Sequence, residues 1–429
     1  MTTADSEGSP QPEPQPETAQ GQDDAAGAPA SRSQRGRWLR RIAVGITFVL
    51  LVSAGVGWSL LHKLEDNITT DTGTAEVLER YDEERPEPVV LEAKNILIIG
   101  SDSRDGGNAA YGEDSGTARS DTAILLHLAA DRDRATAISL PRDLMVTVPS
   151  CPRQDSTGQD GGQDGTEPES TEQDGAERQE ESTEERLAQF NWAYQVGGAA
   201  CTIRTVEKLT GIRIDHHLVI DFQGFKEIVN AVGGVEVCLP EPVTDRDAKL
   251  DLPAGRQTLE GEDALGYVRA RHALGNGSDT QRMTRQQEFL ASLFQKVRSN
   301  GVLMNPAKLY PVLDAATSAL TADEGLNSLT ELYDVVRGVR DVPAERVTFL
   351  TVPRQPHHLN PNRDELVQPD ADRLFAMVRD DEPVDVSGND PMPAGGEDDG
   401  RGGGTAADGA DPSPSPTYRG STAATDSCD

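Results

Sequence analysis

The sequence predicts an α/β fold, a central mixed sheet flanked by helices and preceded by one N-terminal transmembrane helix. Short runs rich in branched apolar residues alternate with runs of helical period, the pattern of a sheet covered by helices. Ile42–Leu61 carries no charge, and about 20 residues at helical rise cross the hydrocarbon core. Low-complexity segments bracket and interrupt this pattern, so the 429 residues leave one domain of moderate size.

The anchor comes first in the chain. Arg32, Arg35, Arg37, Arg40 and Arg41 precede the apolar run, whereas Lys63, Glu65 and Asp66 follow it. An arginine excess on one flank places that side in the cytoplasm, so the chain after Lys63 is expected outside the cell membrane. The run is longer than a signal-peptide apolar region and no small-residue cleavage site follows closely, which favours a retained single-pass anchor. The expected organisation is a disordered cytoplasmic tail (1–31), the membrane helix (42–61), a juxtamembrane linker (62–90) and an extracytoplasmic domain (91–380). A disordered acidic insert (152–186) interrupts that domain, and a disordered tail (385–429) closes the chain.

Charge supports this division. Residues 1–30, 151–185 and 385–429 carry net charges of −6, −10 and −7 out of −33 for the chain. These stretches are too poor in large apolar side chains to offset ordering entropy. The folded part is only mildly acidic, so the total charge describes solvated tails rather than a working surface. Cys151, Cys201, Cys238 and Cys428 all fall on the outer side, where disulfides persist. Cys151 pairs with Cys201 or with Cys238 on this reading, and no C-x-x-C spacing points to zinc or redox chemistry.

Strand character appears in NILIIG (95–100), DTAILLHL (121–128) and RATAISL (134–140), and continues in HHLVID (216–221) and GVEVCL (234–239). Helical period marks ERLAQFNWAYQVG, CTIRTVEKLTG, DFQGFKEIVNAVGG and RQQEFLASLFQKVRSNG, with Gly211 and Gly233 at expected C-caps. Two further helical runs, PAKLYPVLDAATSALTAD and SLTELYDVVRGVRDV, lead to VTFLTVP, a strand able to return to the sheet.

The chemistry-bearing residues are arginines and acids. Asp102 follows the first strand at an edge where α/β sheets place ligands. Arg119 and Asp121 stand at the entry to the next strand. Asp102 and Asp121 are hard oxygen donors suited to Mg²⁺ (or Mn²⁺), although aspartate in a turn is more commonly a cap. Arg142 and Asp143 end ISLPRD, where the plain expectation is a mutual pair. In GEDALGYVRARH, Arg269 and Arg271 at i, i+2 point one way if the chain is extended. Two planar guanidinium forks on one side suit a pyrophosphate. In the next helix Arg282, Arg285 and Gln286 share a face, while Phe289, Leu290, Leu293 and Phe294 supply a stripe read as core rather than a cofactor pocket. No nucleophile triad, Walker or dinucleotide spacing, or H-E-x-x-H run occurs.

The ordered set IIGSDSR, ARSDTAILL, ISLPRDLMVTVP, FNWAYQVGG, RTVEKLTGIRIDHHLVIDFQGF, VGGVEV, LPAGRQTLEGEDALGYVRARH and GSDTQRMTRQQEFL resembles the LytR-CpsA-Psr family over residues 92–300. The specificity lies in the order of the set, and the single N-terminal anchor resembles that family too. The resemblance implies a phosphotransferase moving a glycopolymer from a polyprenyl-pyrophosphate carrier onto an N-acetylmuramic acid hydroxyl of peptidoglycan. On it, Asp102 and Asp121 match the metal-linked acids, and Arg119, Arg142, Arg269 and Arg271 match the pyrophosphate clamp. Arg204 and Gln286 match further head-group contacts, and an apolar tunnel near HHLVIDF and NWAYQV would hold the isoprenoid. The long acidic insert departs from the family pattern without touching these residues.

A hydrolase of polyprenyl pyrophosphate would use the same clamp with water as acceptor. A noncatalytic envelope-binding protein would tolerate loss of Asp102 and Asp121. A membrane-anchored transcriptional attenuator would need a basic cytoplasmic surface, and the short arginine run there is accounted for by topology, so no nucleic-acid partner is expected. Teichoic acid, capsule and arabinogalactan-type chains would present the same linkage, and composition leans toward the last.

Overall fold

The apolar run 42–61 lies within one long helix, α1 (Arg32–Asp66), in the computed structural model, which describes residues 32–102, 120–153, 182–246, 248–270, 279–299, 306–388 and 417–425. Its Trp38–Asp66 portion has a mean hydropathy of 2.0 over its most apolar window and is long enough to cross a membrane. The chain divides into two units, Met1–Leu60 and Leu61–Asp429.

In the second unit β1 (Thr69–Thr70) and α2 (Thr72–Arg80) precede an antiparallel meander of β2 (Lys94–Ser101), β3 (Ser120–Leu128) and β4 (Ala135–Leu140). The hairpin β5 (Met145–Val148) and β6 (Arg186–Gln189) leads into α3 (Phe190–Thr210), β7 (His216–Ile220) and α4 (Phe222–Ala231). A small pair, β8 (Val235–Leu239) with β11 (Gly255–Leu259), encloses β9 (Val243–Asp245) and β10 (Leu250–Leu252), and α5 (Gly261–Arg269) and α6 (Asp279–Ser299) follow. The remainder is α7 (Pro306–Ala319), β12 (Leu320–Ala322), α8 (Leu329–Asp341), β13 (Val347–Thr351), the hairpin β14 (Arg354–His357) and β15 (Asn360–Leu366), α9 (Asp370–Arg379), β16 (Asp385–Ser387) and β17 (Thr417–Thr422). Among the described residues a mixed sheet runs in the order β1-β12-β7-β2-β3-β4-β13-β17-β16.

Period-two alternation sorts the core onto the two sheet faces. Leu97, Ile99, Leu125 and Ile138 pack with Ile203 and Val206 of α3 and Leu374 of α9. Ile96, Ile98, Ile124 and Phe349 face the other way, toward Leu290, Ala291 and Phe294 of α6. A third cluster joins α4, α5, α6 and the β8–β11 segment through Val229, Tyr267, Phe289, Val235 and Leu259.

Several expectations are corrected. Residues 62–90 are not a linker: Leu64 and Ile68 are buried, and Arg85 donates to the Glu207 carboxylate at 2.7–3.1 Å. β8 does not extend the central sheet, because its partner is β11. The 385–429 tail is not wholly disordered: β16 and β17 pair in parallel, β17 pairs with β13, and Tyr418 is buried in the α3-side core. The ends of the 152–186 insert are likewise placed, with Pro152 bridging Ser182 and Arg186 opening β6 instead of a helix. Cys151 pairs with Cys201, closing the insert, and Cys238 is a free thiol.

Two histidine–aspartate pairs tie β7 to the start of α2 and to the turn after β12. His217 Nε2 lies 3.2 Å from Asp71, the N-cap of α2, and His216 Nδ1 lies 3.1 Å from Asp323. Burial alone would push both carboxyls up. Hydrogen bonds from His217 and Thr74 outweigh it at Asp71, those from His216 and the His217 amide do so at Asp323, and both end below the usual carboxylate range. A depressed native pKa contributes stability above the unfolded value and loses it as pH falls through the native one. The urea midpoint is therefore expected to fall as pH drops below the ordinary carboxylate value of 3.8. An Asp71→Asn, Asp323→Asn variant should show a flatter pH dependence there; an unchanged slope would refute this account.

Candidate active site

An apolar cavity of about 460 Å³ lies between the sheet and the helices α4, α5 and α6. Ile98 and Gly100 of β2, Thr122 and Ile124 of β3 and Ile220 of β7 form its floor. Phe222 and Phe225 of α4, Leu265 and Val268 of α5, and Phe289 and Leu290 of α6 supply the walls. Ser101, Asp221, Asp245, Arg269, Arg282 and Gln286 add polar groups. Gly266 lets α5 approach the strand connection closely, since a Cβ there would stand 2.9 Å from the Ala248 carbonyl oxygen.

The polar end of α6 is fastened to the end of α5. The last carbonyls of a helix lack intrahelical partners. Here Gln286 Nε2 donates to the Val268 carbonyl at 3.1 Å and Arg285 donates to that of Ala270. Burial pushes the Arg285 guanidinium below its ordinary pKa, opposed by the neighbouring Tyr267, Glu288 and Asp245. Burial also raises the Glu288 carboxyl and the Tyr267 phenol. Arg285 is thus a structural cation, while Arg282 and Gln286 on the same helix face the cavity. Arg269 closes α5, where a cation complements the helix dipole. Its guanidinium sits 4.4 Å from the Phe222 ring, which orients it beside the cavity without burying it.

The candidate residues fare differently. Arg269 and Gln286 line the cavity. Asp102 is half-buried and directly follows Ser101, a lining residue. Asp121 is the extra residue of a bulge: Gly100 pairs with Thr122 and Ser101 with Ser120, so its backbone lies at the same sheet edge as Asp102. The Asp121 side chain, Arg119 and Arg271 lie outside the described residues. The extended run expected at Arg269 is a helix end, with Ala270 as C-cap. Arg142 does not line the cavity; its Nε donates to Asp143 at 3.3 Å, the plain pairing expected. Arg204 is corrected outright. It lies on α3, across the sheet, only 5% exposed, with Nη1 on the Ser150 carbonyl, Nη2 2.7 Å from Glu84 and its plane 3.5 Å from the Tyr81 ring. Its donors serve the fold, which removes it from the clamp.

Phe289 and Leu290 are walls of the cavity as well as core, contrary to the reading of that stripe as core alone. Of the expected tunnel segments, HHLVIDF supplies Ile220, Asp221 and Phe222, whereas NWAYQV packs on the other face, with Tyr194 hydrogen-bonded to the lining residue Ser101. Sequence reasoning missed Phe225 and Asp245, which helical amphipathicity and a β-turn hide equally well. It also missed Arg354 and Arg363. Arg363 Nη1 reaches Asp143 at 3.2 Å and Arg354 reaches Asp364 at 2.5 Å, beside Arg142.

Leu265→Trp should narrow the cavity at a buried wall position. For the polyprenyl substrate that the family resemblance implies, the expected result is a KM raised about tenfold or more with a long chain and unchanged with a short-chain analogue. Equal effects on both would place the chain elsewhere.

Comparison with known proteins accords with this arrangement. The model of the LytR_cpsA_psr family matches residues 66–380. The cell wall biosynthesis protein LcpA of Corynebacterium glutamicum is 36% identical over 61% of this chain and 50% of its own length. The probable cell wall biosynthesis protein LcpB of that organism is 37% identical over 54% and 48%. The chain thus spans about half the length of these two relatives. The polyisoprenyl-teichoic acid–peptidoglycan teichoic acid transferase TagU of Enterococcus faecalis is 28% identical over 70% of this chain and 83% of that protein. In fold, protein gbs0355 from Streptococcus agalactiae superposes with a TM-score of 0.51 at 19% identity, covering 67% of this chain and 87% of that one. The family match, extending over most of the chain and across every element that builds the cavity, shows that the protein belongs to the LytR-CpsA-Psr family.

Proposed function

We propose that the protein is a membrane-anchored phosphotransferase that moves a glycopolymer from a polyprenyl-pyrophosphate carrier onto peptidoglycan. The observation that carries this reading is an apolar cavity of about 460 Å³ whose lining includes Arg269, Arg282 and Gln286. Such a shape suits a ligand with a hydrocarbon tail and an anionic head. Family membership and the printed activity of the Enterococcus faecalis relative support the same substrate class. The apolar α1 fits a single-pass anchor, and the arginines before it favour a cytoplasmic N-terminus with the domain outside.

In the transfer an acceptor hydroxyl, by family resemblance on N-acetylmuramic acid, attacks the sugar-proximal phosphorus. The bond from that phosphorus to the bridging oxygen breaks, polyprenyl phosphate leaves, and the hydroxyl proton is lost. Negative charge grows on the departing phosphate. Arg269, held by its stack on Phe222, and Arg282 are preorganised cations for that charge. Asp102 and Asp121, at one sheet edge, are the positions that would hold Mg²⁺ (or Mn²⁺). The ion when bound would neutralise pyrophosphate charge.

The test incubates full-length protein in detergent micelles with Mg²⁺, a radiolabelled polyprenyl-pyrophosphate oligosaccharide and peptidoglycan. Label joined to peptidoglycan by a phosphodiester is expected. Label released only as free sugar phosphate would make the protein a hydrolase, and no reaction would leave a binding protein.

A further inference from the structure

A second polar cluster stands on the β14–β15 hairpin, away from the cavity lining. Consecutive residues of a strand normally point to opposite faces. Here the β14–β15 register shifts between Pro356 and His357, His358 lies beyond the end of β14 in the turn, and the two rings stack with centroids 4.5 Å apart. Glu365 of β15 faces them, its Oε2 lying 2.8 Å from His358 Nδ1 and 3.9 Å from His357 Nε2. Gln355 Nε2 holds the other carboxylate oxygen at 2.9 Å, fixing the group's orientation. One ligand atom from each of the three residues lies within 4.8 Å of the others.

We infer that His357, His358 and Glu365 form a binding site for a divalent transition metal of the zinc type. Two imidazoles and one carboxylate are the donor set that zinc takes with a fourth position left to water, and Mg²⁺, which prefers oxygen, is disfavoured by the same set. The Gln355 contact is the outer support that ligating carboxylates commonly have. Tetrahedral ligands at about 2.0–2.2 Å from zinc sit closer together than these atoms do. Loading therefore needs a small inward rotation, which a His358 side chain 66% exposed permits. It also needs the His357 tautomer protonated at Nδ1, so the 3.2 Å contact from the Leu359 amide to that nitrogen gives way in an exposed turn. The root of the same hairpin carries Arg354 and Arg363 to Asp364 and Asp143, so a metal at its tip stiffens the strands that support Arg142.

Full-length protein in detergent micelles, prepared without a polyhistidine tag, is titrated with ZnCl₂ by calorimetry in the presence of excess Mg²⁺. One equivalent of zinc is expected per chain. His357→Ala, His358→Ala should abolish this binding, and Gln355→Ala should weaken it by about 10- to 100-fold. Glu365→Gln keeps the size and polarity of the side chain and should also weaken binding, which covers the case of a misfolded double variant. Melting curves without metal should match the wild type for every variant used. Zinc uptake undiminished in folded variants, displacement by Mg²⁺, or no uptake by the wild type would overturn the assignment.

Discussion

Alanine at Arg269 is expected to lower glycopolymer transfer by about 10²- to 10³-fold, the cost of losing one preorganised group for transition-state charge. The melting temperature should stay close to that of the wild type, because the side chain is exposed. That combination separates a role in chemistry from a role in folding. Arg282 offers the contrast: it lines the same cavity but is only 6% exposed, so its alanine variant should lose both activity and stability. Phe222→Leu keeps the apolar wall while removing the ring face, and should give a smaller loss of rate. Full transfer by Arg269→Ala, measured as phosphodiester-linked label on peptidoglycan, would remove Arg269 from the clamp.

The sheet and its flanking helices were legible because their signals are local. Continuous branched apolar runs in NILIIG and DTAILLHL mark strands covered on both faces, and helical period in RQQEFLASLFQKV reports which face is apolar. What lies against that face is a nonlocal fact. Phe289 and Leu290 have the spacing of core residues, and a cavity wall needs the same apolar face as a packed interior. Arg285 and Gln286 share a helix face with Arg282 and both turn back to the end of α5, at Ala270 and Val268, yet Gln286 and Arg282 line the cavity while Arg285 does not. Arg204 carries the same charge as the clamp residues, and only its position on α3, across the sheet, reveals a structural role. Asp102 and Asp121 were placed together by reasoning about strand ends, and the bulge that brings their backbones to one edge depends on the pairing of β2 with β3. Arg363 reaches Asp143 across 220 residues of sequence, a separation that no spacing rule spans.

The segment after the membrane helix gives the second large effect. Glu207→Ala is expected to cost about 3–5 kcal/mol of stability, the usual penalty for breaking a buried ion pair from one side. The Glu207 side chain is 2% exposed and that of Arg85 10%. The carboxylate accepts from Arg85 Nε and Nη2 and from the Ile214 amide at 2.9 Å. Removing it strands a cation and a buried amide together. The double variant Arg85→Met, Glu207→Leu should be much milder, since neither charge then remains to be desolvated. Urea denaturation of the two forms measures the difference. A loss below about 1 kcal/mol in Glu207→Ala would show the pair behaving as a solvated surface contact. Residues 62–90 would then hang on the domain as a linker instead of packing as part of it.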